Sequence, residues 1–195
     1  MDPVSFIHQK MLENERGPDV AYMREKLKTT WVDVVVPRKQ DIESIQALHR
    51  WYQLVKNRAP WDYKQEIISR FGRWMDDPQR PIRYGYDIWA NLHYGYIGLA
   101  CGFSQWTLLQ GAGFAQWRAG TSPDGYWERR LDTLGDADVA AALDDPKDQE
   151  AIRAGFSLWE DFGASVQPFH LWNELRKRAN RLSTEPRGGF SRAAR

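Results

Sequence analysis

A single cysteine, Cys101, is all the chain carries. No intrachain disulfide can form, and a disulfide-stapled scaffold is excluded. Charge of one sign is also missing. The formal net charge is +1 and the pI is about 7.9, so bulk charge argues for neither nucleic acid, nor an anionic membrane, nor an acidic substrate. No HExxH, no CxxC, no phosphate-cradling glycine loop and no serine nucleophile elbow occurs, so neither a metal nor a cofactor is expected. The opening residues, MDPVSFIHQKMLENERG, have no basic start, and Glu13, Glu15 and Arg16 follow too soon after the few apolar ones. They do not form a signal peptide. Export is expected to use a signal-independent machine or a carrier protein.

The longest absence is internal. Between Asp87 and Arg118 there is no Asp, Glu, Lys or Arg, in a chain that is 27% charged. Such a gap marks a mostly buried segment around which the other elements pack. Asn91, His93, Gln105, Gln110 and Gln116 interrupt it, and no continuous apolar run reaches the length of a membrane span. Gly95, Gly98 and Gly102 share one smooth face at helical spacing. Each glycine costs about 1 kcal/mol against alanine in a helix interior, so this face needs a packing or functional purpose.

What the chain does have is aromatic mass: ten Trp, eight Tyr and eight Phe. Either these rings fill the core, or some are exposed for stacking on sugars, bases or a partner. The 195 residues suffice for one domain with a sizeable core.

Apolar periodicity predicts helices over Phe6–Leu12, Val20–Leu27 and Lys39–Asn57, the last with Ile42, Ile45, Leu48, Tyr52 and Val55 inward. Thr30–Val36 reads as a short strand. A helix is expected over Tyr63–Met75, then a loop over Asp76–Pro81 and an extended Ile82–Ile88. Two central helices follow, one from near Asn91 to Cys101 and one capped by Ser104 and ending near Trp117. Asp136–Leu143 and the run after Asp145-Pro146 are helical, and Pro168–Leu182 is the last helix. The sum is a mainly α, single compact domain of lysozyme-like size with one small β-hairpin. Residues 1–58 form its N-terminal helical part, 59–182 the core, and 183–195 a Gly-, Arg- and Ser-rich tail expected to be disordered.

Three polar clusters are candidates for chemistry. The first is Asp87, Asn91, His93 and Tyr94, a carboxylate, amide, imidazole and phenol near one helix start, suited to general acid–base work. Its bland alternative is a capping Asp87 and a satisfied core His93. The second is Trp61, Asp62, Lys64 and Glu66, where Lys64 would stabilise negative charge and Asp62 or Glu66 act as acid; equally, Asp62 caps a helix. The third is Asp145, Asp148 and Gln149, which also suits a helix start with cap, proline and acidic first turn. Trp61 and Trp89 are candidate stacking surfaces.

The run D-x-W-x-N-x-H-Y-G-Y-x-G-x-x-x-G-F-S, then L-L-x-G-A-G-x-x-Q, resembles the polymorphic toxin type 44 domain. P-W-D-Y-K at Pro60–Lys64 and D-D-P-x-D-Q-x-x-I-x-x-G at Asp144–Gly155 resemble that family's other blocks, in the same order. The resemblance covers about Pro60–Gly155. It implies an interbacterial effector delivered by a secretion system and neutralised by an immunity protein. Position by position it carries over Asp62, Lys64, Asp87, Asn91, Tyr94, Gln116, Asp148 and Gln149. His93 and Cys101 depart from the family pattern.

Three functions follow from these residues. The first is a hydrolase cleaving the glycan strands of peptidoglycan in the periplasm of a target cell, with Asp87 and one of Asp62, Glu66 or Asp148 as paired carboxyls. The second is a ribonuclease acting in the target cytoplasm through His93, Lys64, Tyr94 and Asp87; against it stands the lack of a strong basic bias. The third is a non-enzymatic toxin whose apolar hairpin inserts into membranes.

Overall fold

The computed structural model describes residues 1–28, 37–109 and 145–187. Among them are eight α-helices and one three-stranded antiparallel sheet: α1 (Pro3–Glu15), α2 (Pro18–Leu27), α3 (Pro37–Val55), α4 (Lys64–Phe71), β1 (Trp74–Asp76), β2 (Ile82–Gly85), α5 (Tyr86–Ala100), α6 (Gln105–Leu109), α7 (Pro146–Phe162), α8 (Pro168–Arg178) and β3 (Thr184–Pro186). The mainly helical class holds. Five helices open on a proline: Pro3, Pro18, Pro37, Pro146 and Pro168. At that position the missing N–H has no intrahelical partner to lose, and the fixed φ suits the helix.

The core is built around α5. Ile88, Trp89, Leu92, Tyr96 and Ile97 are all buried, as the absence of charge from this stretch predicts. Its most extensive partner is α7, and glycine is what lets the two backbones approach. A Cβ at Gly95 would lie 2.1 Å from the carbonyl oxygen of Ile152, and one at Gly155 would lie 2.2 Å from that of Leu92. The pairing runs parallel: Asp87 meets Asp148 at one end, and Tyr96 meets Trp159 at the other, with ring centroids 5.2 Å apart.

Most large rings fill this core. Tyr84, Trp89 and Trp172 pack edge to face or tilted at 5.4–6.3 Å, tying the sheet and α8 to α5. Trp51 meets Trp61 at 6.0 Å and Tyr94 at 5.0 Å. Trp106, Phe162 and Phe169 are exposed.

Several expected boundaries move. The helix expected over Tyr63–Met75 stops at Phe71, where Gly72 takes φ +85°, and Trp74–Asp76 becomes β1, paired with β2. The central helix starts at Tyr86 rather than near Asn91, because β2 ends at Gly85. Ile42 is exposed, and Ala47, Trp51 and Leu54 carry much of the buried face of α3. The ordered fold does not stop at residue 182. Ser183 accepts a hydrogen bond from the Gly85 N–H at 2.9 Å, and β3 pairs with β2. The strand expected over 30–36, the helix over 136–143, the far end of the second central helix, and the tail from 188 lie outside the described residues.

Candidate functional site

Three helices start at one place. α4 opens at Lys64, α5 carries Asp87 in its first turn, and α7 carries Asp148 in its first turn. The local sequence explains each start. Asp62 accepts from the backbone N–H of Arg58 (2.9 Å) and of Lys64 (3.3 Å), and so shapes the turn into α4. Asp145 accepts from the Lys147 N–H at 2.7 Å, capping α7 ahead of Pro146. A Cβ at Gly85, just before α5, would lie 2.5 Å from Asp87 Oδ1 and 3.3 Å from Ser183 Oγ, so a larger residue there would push the Asp87 carboxyl aside.

The Asp87 carboxyl lies close enough to Asp148 to raise its pKa through both charge and side-chain hydrogen bonding. Two carboxyls in contact do not both ionise readily, so the pair retains a proton. Burial pushes the Asp148 carboxyl up to about 6, the Asp87 charge adds to the rise, and the Lys64 ammonium opposes it. Helix N-termini favour the anion, but here desolvation and the facing carboxylate outweigh them. The result is an Asp148 carboxyl that keeps its proton up to about pH 6, with the Lys64 charge opposing the rise. Asp87 Oδ1 also accepts from the Ile88 N–H at 3.1 Å, which fixes its rotamer.

Asn91 lies one turn after Asp87 on the same face of α5, with its Cβ leaning toward the helix start. It is 8% exposed, and its Nδ2 has no hydrogen-bond partner among the described residues. A buried amide N–H left unmade costs about 1–3 kcal/mol, a cost that a ligand oxygen would relieve.

The remaining candidates sit elsewhere. His93 is 1% exposed. Its Nε2 lies 2.9 Å from Asn14 Nδ2 on α1, and Tyr63 packs edge-on at 4.8 Å. Burial drives its pKa down to about 3, so the ring is neutral and sealed from solvent. Tyr94 donates to the Leu108 carbonyl at 3.3 Å, and burial lifts its phenol to about 12. Glu66 pairs with Arg70 at 2.6 Å. Trp61 and Trp89 are core residues, and Gln149 accepts from Arg153 at 3.1 Å. Gln116 lies outside the described residues. Cys101 is buried, and that burial raises its thiol pKa, so little nucleophilic thiolate forms.

Two residues of this region had no signal in the sequence. Ser183 is the first residue of the presumed tail, and Gly85 precedes α5 without belonging to the glycine face. Both reach the site only through the β2–β3 pairing. Among the described residues no group of three or more His, Cys, Asp or Glu is arranged to hold a metal ion, and no helix is long and apolar enough to cross a membrane.

Fold and site together define a small helical domain with a proton-sharing carboxyl pair at converging helix starts. The family model described as bacterial toxin 44 matches residues 50–161, more than half of the chain, and takes in α4, both strands of the β1–β2 hairpin, α5 and most of α7. The chain belongs to the bacterial toxin 44 family and is a bacterial toxin domain. No curated protein and no solved structure matches it.

Proposed function

We propose that this toxin is a hydrolase that cleaves the glycan strand of peptidoglycan, with Asp148 as general acid and Asp87 as its ionised partner. The observation that carries this reading is the Asp148 carboxyl, raised to about 6 by burial and by the facing Asp87. An acid that keeps its proton well above the ordinary aspartate range, up to about pH 6, is suited to protonate a departing glycosidic oxygen. The Lys64 ammonium lies close enough to act on the Asp148 carboxyl, and the Asn91 amide, without a partner among the described residues, is the donor available to a sugar oxygen.

Glycosidases that use two separate carboxylates hold them about 5 Å apart for retention or 6.5–9.5 Å apart for inversion. Hydrogen-bonded carboxyls are closer than either, and neither a water nor an anomeric carbon fits between them. The pair therefore acts from one side of the scissile bond. The nucleophile is either a water from the open side or the substrate's own 2-acetamido oxygen, as in substrate-assisted glycosidases. Both sugars of peptidoglycan carry that acetamido group, and Asp87 would orient it.

The ribonuclease reading drew on His93 together with Lys64, Tyr94 and Asp87, and of these the His93 ring is buried and neutral. Membership of a toxin family is consistent with delivery by a secretion-system carrier and with a cognate immunity protein. The target compartment proposed here is the periplasm.

The test is release of soluble muropeptides from purified sacculi. The wild-type protein should release fragments with new reducing ends, and Asp148→Asn should lower the rate about 10²–10⁴-fold, the usual share of a general acid. Expression in bacteria should be toxic only when a periplasmic signal is attached. A folded protein that releases nothing from sacculi sinks the reading. Toxicity confined to the cytosol with cleavage of RNA would favour the nuclease, and dye release from liposomes the membrane toxin.

A further inference from the structure

A second concave surface lies far from the carboxyl pair. It is a groove of about 510 Å³ between the β1–β2 turn, the end of α7 and the outer face of α8. At about 1.5 Å per residue, the run of α7 from Asp148 to Phe162 spans about 21 Å, so the groove and the pair sit toward opposite ends of that helix. Its volume is within the range of small-ligand sites.

The lining is unusual for surface left to water. Phe162 and His170 stack flat, with centroids 3.7 Å apart and planes 4° from parallel. Outside the lining, Phe169 packs beside His170 at 4.0 Å and is 57% exposed. The His170 tautomer follows from its role at the start of α8: Nδ1 accepts from the Gln167 N–H at 3.0 Å, which leaves the proton of the neutral ring on Nε2. Arg80 donates from Nη1 to the Arg176 carbonyl at 3.0 Å, a neutral acceptor. No carboxylate answers its charge among the described residues. Lys177 pairs with Glu174 at 3.1 Å but is 68% exposed. Asn173 adds an exposed amide. Ring faces, an amide and the Arg80 charge together suit a ligand with an apolar face and a carboxylate.

We infer that this groove is a secondary subsite for an anionic wall fragment, an N-acetylated sugar packed on the Phe162–His170 pair with a stem-peptide carboxylate on Arg80. The inference rests on the peptidoglycan reading for its choice of ligand. It adds that the toxin holds its polymer at a point remote from the cleavage site. Sugar faces pack on aromatic rings through their C–H groups, and the carboxylate gains a charge-assisted hydrogen bond from Arg80.

The experiment is calorimetric titration of full-length Asp148→Asn protein, which should not turn over, with an uncrosslinked disaccharide–tripeptide, and separately with the peptide-free disaccharide. The expected result is tighter binding of the peptide-bearing probe by about tenfold. Arg80→Ala should erase that difference, and Phe162→Ala should weaken both probes about tenfold. Both positions are exposed, and an unchanged thermal midpoint confirms the fold. Equal affinities for the two probes in the parent, unaltered binding in both variants, or no binding at all would overturn the inference. Sacculus digestion by the unmodified toxin separates the two ideas. Digestion with unaltered binding in the variants removes only the subsite. Groove binding without digestion removes only the cleavage reading.

Discussion

Asp148 is worth following through its pH dependence, because its sign is the reverse of an ordinary paired carboxylate. Its folded-state value is raised from 3.8 to about 6, so the folded protein binds this proton more tightly than the unfolded chain. The stabilising contribution is fully present below about 3.8 and is lost as the pH rises through about 6. His93 runs the other way: burial takes it from 6.5 to about 3, so its contribution is present above about 6.5 and lost as the pH falls. Comparing Asp148→Asn with the parent at each pH cancels the histidine. The variant should unfold later than the parent at pH 7–8, by an amount on the order of 1–3 kcal/mol, and the gap should close toward pH 4. Thermal melts across that range measure it. A gap that does not change with pH would show that Asp148 and Asp87 do not share a proton in solution. Higher stability with lost activity is the signature of a site held in a strained state for its chemistry.

At the scale of elements, the α5–α7 pair governs where the two carboxyls meet. The glycines on α5 are not equivalent. A methyl at Gly95 would run into the Ile152 backbone at 2.1 Å, and one at Gly155 into the Leu92 backbone at 2.2 Å. Backbone within a packed helix has little room to move, so Gly95→Ala and Gly155→Ala should each cost about 3 kcal/mol, the upper end of usual overpacking. At Gly98 the obstacle is the flexible Leu108 side chain at 2.5 Å. There the gain in helix propensity of about 1 kcal/mol offsets much of the clash, and Gly98→Ala should change stability by about 1 kcal/mol or less. Urea denaturation of the three variants gives the order. Equal costs at Gly95 and Gly98 would mean that the helices do not cross where the backbones touch. The glycine spacing was legible in the sequence as a smooth helical face. Its partner, Gly155 on α7, was not, because one helix's periodicity carries no information about which helix lies against it.

For the molecule as a whole, the C-terminal segment ties the sheet to the site. Glu185 pairs with Arg83 and Arg187 with Asp76 at 2.9 Å, while Ser183 supports Gly85 and stands near Asp87. Arg176 bonds both oxygens of fully buried Asp77 and holds α8 to the β1–β2 turn. Ending the chain after Leu182 should therefore lower the unfolding midpoint by several degrees and reduce sacculus cleavage, whereas ending it after Arg187 should preserve both. Melting curves and fragment release on the two truncations check this. Full activity of the shorter chain would remove Ser183 and β3 from the site.

The sequence by itself determined the helical class, the buried central segment and the helix start at Asp145-Pro146. Those are local matters of periodicity, capping chemistry and the absence of charge. It also placed Asp87, Asp148 and Lys64 among the candidates, through blocks that resemble one family. Only the tertiary structure decided which candidates meet. Asp87, Asp148 and Lys64 come together because three helices begin at one point; His93, two residues from Asn91, turns into the core because a helix sends such neighbours to different faces. The short strand β1 escaped notice because its three residues hold their shape by pairing with β2, and Ser183 because its role depends on a contact with Gly85 across almost half the chain. Such contacts have no local pattern to read.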